Sequence, residues 1–284
     1  MISSLLVCAM LEARWGTRRR GKSIGPARVV FGAWLAALAA VGGPSADPRF
    51  PQIDRPVAPI ISSAYSTEVV RDQHGEADRV MNRLSVATGM RVADIGAGDG
   101  YYTVRLAKRL GNGATIYAED ITQPYLDRLS ARLTREGIGG VTLVLGTSAD
   151  PRLPEQAVDL AIMAHMYHEI EQPYEFLYRL HAALAPNGRV AIIDNDKPTR
   201  QHGTPPTLLR CELAAVGYRQ IDFLSLAPAD GYLAVFARPE ARLDPRLSNR
   251  VDGDEEASRP RNDAGGPRCR RAQPSQPVPG AARR

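Results

Sequence analysis

Between residues 65 and 238 the chain alternates short apolar runs with longer stretches whose apolar residues recur every three or four positions. The short runs read as buried strands. They are Arg91 to Ile95, Ala114 to Glu119, Val141 to Leu145, Val158 to Met163 and Arg189 to Asp194, then Arg219 to Leu224 and Tyr232 to Phe236. The periodic stretches read as helices. One covers Thr67 to Ala87, with apolar positions at Val69, Val70, Val80, Met81 and Leu84. Another runs from Tyr101 to about Leu110, closed by Gly111, and a third passes through Tyr125 and Leu129 to stop at Gly137. Gln172 to Leu184 ends at Pro186-Asn187-Gly188, and Pro206 to Val216 follows a Pro/Gly loop. Strands alternating with helices predict an α/β sheet with crossover connections. No internal repeat interrupts the pattern.

The connection after the first strand carries the strongest chemical signal. Met90-Arg91-Val92-Ala93 leads into Asp94-Ile95-Gly96-Ala97-Gly98-Asp99-Gly100, and a helix begins at Tyr101. Glycines on alternate positions allow a tight turn and clear side chains from a surface where a ligand can lie. A dinucleotide fingerprint, Gly-x-Gly-x-x-Gly, would need its third glycine at Tyr101. A phosphate loop would need a following Gly-Lys-Ser/Thr, which is absent.

The stretch resembles the first motif of the class I S-adenosylmethionine-dependent methyltransferases, Asp/Glu-x-Gly-x-Gly-x-Gly, matched at Asp94, Gly96, Gly98 and Gly100, with Ala97 between the glycines. The resemblance covers about 65 to 238 and implies a Rossmann-like, doubly wound, seven-stranded and mostly parallel sheet with a C-terminal antiparallel hairpin. It also implies S-adenosyl-L-methionine as methyl donor. Asp120, at the end of the second strand, is then the acid that accepts both sugar hydroxyls, with Glu119 one position away. A carboxylate suits two adjacent donors because each oxygen takes one. In Leu145-Gly146-Thr147-Ser148-Ala149-Asp150 an adenine contact is expected from Asp150 or the Ala149 backbone, since Thr147 stands where an acid is common. The alternative for Asp150 is a residue that organises the turn before Pro151.

Ala164-His165-Met166-Tyr167-His168-Glu169 closes the fourth strand, on the edge that faces the ligand crevice in such sheets. The resemblance here is to small-molecule methyltransferases with a Tyr-His pair after that strand, including uncharacterised bacterial ones ending in Tyr-His-Glu, and Leu184-x-Pro186-x-Gly188 adds to it. An imidazole suits removal of an acceptor proton near neutral pH. His168 is the first candidate base and His165 the second; the alternatives are helix capping for His168 and packing beneath the adenosine for His165. There is no Asn/Asp-Pro-Pro-Tyr/Phe signature, which points to a small-molecule acceptor at oxygen or carbon and away from nucleic acid. Asp194-Asn195-Asp196 is similar to half of the magnesium cage of catechol-type enzymes, but Ala164-His165 replaces its other Asp, so no metal ligands are assigned and a divalent ion stays an outside alternative. Tyr65, Tyr101, Tyr102 and His202 are candidates to line the acceptor pocket or to pack in the core. Two other functions stay open, a nicotinamide-dependent oxidoreductase and a non-catalytic cofactor-binding module.

The ends differ from the middle. Residues 1–50 carry seven Lys/Arg against two acids and 240–284 ten against seven, whereas 51–239 carry nineteen against twenty-two. The net +5 therefore belongs to the ends, and overall charge does not argue for nucleic acid. The domain is placed at 51–239. The segment 240–284, poor in large apolar residues after Val251, reads as a disordered Arg/Pro-rich tail. In 1–50, Arg18-Arg19-Arg20-Gly21-Lys22 precedes the apolar run Val29 to Val41 and then Gly42-Gly43-Pro44-Ser45-Ala46, the order of a secretory signal. Another apolar patch, Leu5 to Leu11, suggests instead a start assigned too far upstream. The run is short for a stable membrane span. The cytoplasm, where the methyl donor is made, is the preferred compartment over export. Cys8, Cys211 and Cys269 form neither a disulfide framework nor a zinc spacing, and Cys211 is expected to be a buried thiol.

Overall fold

A computed structural model describes residues 47, 50–60, 68–111, 113–227, 231–241 and 269. The expectations for the N-terminal extension, for Tyr65 and for nearly all of the tail lie outside these residues. The described elements are α1 (Glu68–Gln73), α2 (Glu76–Arg83), β1 (Arg91–Ile95), α3 (Tyr101–Leu110), β2 (Thr115–Asp120), α4 (Gln123–Glu136) and β3 (Val141–Leu145). They continue with β4 (Val158–Ala164), α5 (Pro173–Ala183), β5 (Leu184–Asn195), α6 (Pro206–Ala215), β6 (Arg219–Ser225) and β7 (Gly231–Ala237). The seven strands form one sheet in the order β3-β2-β1-β4-β5-β7-β6. β1 through β5 pair in parallel, and β7 runs antiparallel between β5 and β6.

The central strands β1, β4 and β7 are buried along nearly their whole length because both faces of the sheet are covered there, whereas the edge strands β3 and β6 are only partly buried. Side chains alternate between faces, so two cores interleave along each strand. Ala93, Ile95, Ala161, Met163, Val190 and Ile192 face α5 and α6, together with Phe50, Leu177, Leu180 and Leu209. Val92, Leu160, Ile162, Ala191 and Ile193 face the other way, onto Val80 and Met81 of α2, Leu84 just after it, and Leu106 and Leu110 of α3. Phe50 is buried in the first of these cores.

Three expectations need correction. The helix expected over Thr67 to Ala87 is two helices, broken at His74-Gly75, where Gly75 takes φ +60°. Val69 and Val70 are 65% and 49% exposed. α1 is held by charge and not by an apolar face: Glu68 pairs with Arg132 and Arg105, and Asp72 with Arg105. The fifth strand begins at Leu184, directly after α5, and carries Pro186-Asn187-Gly188 within it. Finally, Cys211 is not a thiol. It forms a disulfide with Cys269, 58 positions along the chain. A tail poor in apolar residues gave no sign of where Cys269 would lie.

Candidate functional site

β1 has β2 on one side and β4 on the other, which is the point where a doubly wound sheet opens a crevice beyond its carboxyl ends. A cavity of about 1560 Å³ lies there, lined by Gly96, Ala97 and Gly98, by Glu119 to Thr122, by Thr147 and Ser148, and by His165, Met166, His168 and Glu169. The turn after β1 depends on its glycines. Gly96 takes φ +67°, and a Cβ there would lie 2.9 Å from Met166 Cγ. Gly100 takes φ +87° at the start of α3, and a Cβ there would overlap Leu129 of α4. The first keeps the crevice wall close to the β4 turn; the second lets α3 and α4 pack.

Both acids at the end of β2 reach the glycine turn. The Gly98 N–H donates to Asp120 Oδ2 at 2.9 Å, and the Thr122 N–H to Asp120 Oδ1 at 2.8 Å. The Gly96 N–H donates to Glu119 Oε2 at 3.4 Å, while Glu119 Oε1 is buried without a hydrogen-bond partner. Burial, followed by the charge of Asp120, pushes the Glu119 carboxyl far above its usual range. Burial also raises Asp120, with the backbone N–H groups of Gly98 and Thr122 pulling the other way. Asp120 is thus the better candidate for a charged acceptor. Ile121 beside it is 40% exposed on the crevice wall, an apolar surface suited to a flat base. Nothing but its place next to the acid marked Ile121 in the sequence.

Asp94 does not line the cavity. It is 3% exposed beneath the turn and accepts a 2.5 Å hydrogen bond from Thr103 Oγ1. Burial raises its pKa from 3.8 to about 6, the Thr103 hydrogen bond opposing this. Because the folded value lies above the unfolded one, the folded state holds this proton more tightly. The stabilisation is full below about pH 4 and is lost as pH rises through about 6. Without donor, Asp94→Asn should therefore be more stable than the parent at pH 7.5, by roughly 3 kcal/mol, and the gain should vanish by pH 4. Urea unfolding of both proteins across that range measures the difference.

The structure separates the two residues expected at the third landmark from the crevice. Thr147 and Ser148 line it, but Ala149 and Asp150 do not. The Asp150 carboxylate accepts from the Arg152 N–H at 2.8 Å and from Arg179 Nη1 at 3.3 Å. These contacts fit the turn-organising alternative.

After β4 the chain makes a short 3-10 turn, Tyr167–Glu169. His165 sits at φ +56° with Nε2 3.1 Å from Glu76 Oε2. Burial acts to raise Glu76, but His165 and Arg71 outweigh it and hold the carboxyl far below its usual range. Arg71 also lies over the Tyr101 ring, 3.6 Å from its centroid. Tyr101 lines the cavity; Tyr102 is buried and donates its hydroxyl to Glu76.

His168 is 1% exposed, and its Nδ1 lies 3.1 Å from both oxygens of Asp194, itself fully buried at the end of β5. An ionised carboxylate only accepts, so Nδ1 carries the proton and Nε2 presents a lone pair. Nε2 is buried without a partner, and His168 borders the cavity. The three residues similar to a half-cage go different ways: Asp194 meets His168, Asn195 Nδ2 donates to the His202 carbonyl, and Asp196 is exposed.

The support of this turn was not visible in the sequence. Arg55 Nε donates to Glu212 Oε1 at 2.7 Å, and its other nitrogens reach the carbonyls of Tyr167, His168 and Ile170 at 3.3–3.5 Å. Tyr167 is buried and donates its hydroxyl to Glu212. Of the Tyr-His pair, Tyr167 builds the floor and His168 faces the crevice.

Residues 92–188 match a family model described as a methyltransferase domain. The chain is 28% identical over 119 residues to nocamycin O-methyltransferase of Saccharothrix syringae, covering 41% of each chain. It is 23% identical over 119 residues to a demethylmenaquinone methyltransferase of Anoxybacillus flavithermus, covering 42% of this chain and 50% of that one. The chain thus spans half or less of the length of these curated relatives. An S-adenosylmethionine-dependent methyltransferase structure from Aquifex aeolicus superposes with a TM-score of 0.54 at 22% identity, over 57% of this chain and 89% of that one. Residues 92–188 are thus similar to a methyltransferase domain, and the sheet has the fold of the Aquifex aeolicus structure. Among the described residues, no helix is long and apolar enough to cross a membrane.

Proposed function

We propose that the protein transfers the methyl group of S-adenosylmethionine to a small acceptor, at oxygen or carbon. The observation that carries this reading is one continuous cavity, with the glycine turn and Asp120 on one side and the His168–Asp194 pair on the other. Gly96 and Gly98, Asp120, Ile121 and the Thr147-Ser148 backbone would hold the donor, and the unpartnered oxygen of Glu119 leaves room for one more hydrogen bond. The donor brings a methyl already activated by its positive sulfur, so much of the rate comes from holding the acceptor in line.

His168 Nε2 takes the acceptor proton, and Asp194 stabilises the imidazolium that results. His165, paired with Glu76, is a wall and not a base. The small-molecule activities named for the two curated relatives support an acceptor of that kind. His168→Ala should lower turnover by about 10²–10⁴ while leaving donor affinity near the parent value. An unchanged rate on the acceptor would remove His168 from the mechanism. The acceptor is found by incubating a cell extract with methyl-labelled donor and identifying the labelled product; a labelled protein or nucleic acid instead of a small molecule would overturn this reading.

A further inference from the structure

His168, Glu169 and His202 form a donor set that a simple base does not require. Glu169 shares the turn with His168, while His202 arrives from a second turn after β5, Thr199–Gln201. One ligating atom from each lies within 4.8 Å of the other two. His168 Nε2 and His202 Nδ1 are both buried without a hydrogen-bond partner. The two rings meet edge to face with centroids 5.5 Å apart, and Glu169 Oε1 lies 3.9 Å from His168 Nε2. Two orphaned buried nitrogens in adjoining rings are costly unless something satisfies both.

The surroundings favour a cation as that partner. Asp194 fixes the His168 tautomer from behind, the carboxylate–histidine arrangement that orients imidazole ligands of metals. His202 is held in the left-handed region at φ +54°, with its carbonyl accepting from Asn195 Nδ2 at 3.3 Å. Such a backbone persists where its surroundings impose it, often at functional sites. Two imidazoles and one carboxylate suit zinc or another divalent first-row transition ion; magnesium and calcium prefer oxygen alone.

We propose that His168, Glu169 and His202 bind one divalent transition-metal ion in the acceptor half of the crevice. This rests on the methyl-transfer reading and refines it. His168, Glu169 and His202 would hold the cation, which would supply Lewis-acid activation of an acceptor hydroxyl and so ease loss of its proton to water. The proton transfer to His168 then belongs to the metal-free protein. Such a site selects an acceptor that offers an oxygen.

The test uses the untagged full chain, stripped with chelator and titrated with Co²⁺ and then Zn²⁺. One Co²⁺ per chain should bind with ligand-field absorption in the visible and be displaced by Zn²⁺. His202→Ala and Glu169→Gln should each weaken binding by at least the 10–100-fold that loss of an outer-shell partner typically costs. No saturable uptake by the folded protein, or uptake unaltered in both variants, overturns the proposal. S-adenosylhomocysteine binding is measured on the same samples. If it persists while the metal fails to bind, only this inference falls; if it is itself absent, the methyl-transfer reading falls with it.

Discussion

Replacing Asp120 with Ala is expected to weaken S-adenosylhomocysteine binding by about 10²–10³-fold, corresponding to roughly 3–4 kcal/mol. The carboxylate is held ready by two backbone N–H groups, from Gly98 and Thr122, and each oxygen keeps a second lone pair for a sugar hydroxyl. Glu119→Gln should cost much less, because burial and the charge of Asp120 favour a protonated Glu119. Calorimetric titration of both variants tests the order. If Glu119→Gln proves the more damaging, the sugar contact moves one position along β2.

The second large effect is on stability. Arg55→Ala strips the counter-charge from Glu212, whose side chain is 1% exposed. It also removes the donor to three carbonyls of the turn that carries His168. Breaking a buried pair by deleting one partner costs about 3–5 kcal/mol, which lowers the melting temperature of a domain of this size by about 6–20 °C. The double variant Arg55→Met with Glu212→Leu should recover most of that loss, since neither charge is then left alone. Calorimetric or spectroscopic melting of the single and double variants measures the coupling. If Arg55→Ala alone melts within 2 °C of the parent, this pair does not anchor the turn.

The features legible in the sequence are those set by neighbouring residues. The glycine turn follows a strand and opens a helix within one stretch, and its spacing alone excludes the dinucleotide register at Tyr101. Period-two and helical patterns placed all seven strands to within one residue, except β5, because Pro186 obscured the start of that strand. His168 followed from its place after β4. What pattern could not supply is pairing across the fold. Arg55 with Glu212, Glu76 with His165 and Cys211 with Cys269 join segments 157, 89 and 58 positions apart. Asp150, a candidate cofactor contact in the sequence, has its carboxylate engaged by Arg179 of α5 and by the Arg152 N–H, neither of which its own neighbourhood in the sequence announced as a pair. The break at Gly75 escaped because the apolar period continues across it, while α1 is held by ion pairs with α3 and α4. His202 drew attention only as a pocket residue; its approach to His168 depends on the course of the chain after β5.

The most direct measurement is a calorimetric titration of the purified chain with S-adenosylhomocysteine, run beside NAD. A crevice built on Gly96, Gly98 and Asp120 predicts saturable, one-to-one binding of S-adenosylhomocysteine that Asp120→Ala greatly weakens, with no comparable binding of NAD. Saturable binding of NAD without S-adenosylhomocysteine, or binding of neither, would contradict it.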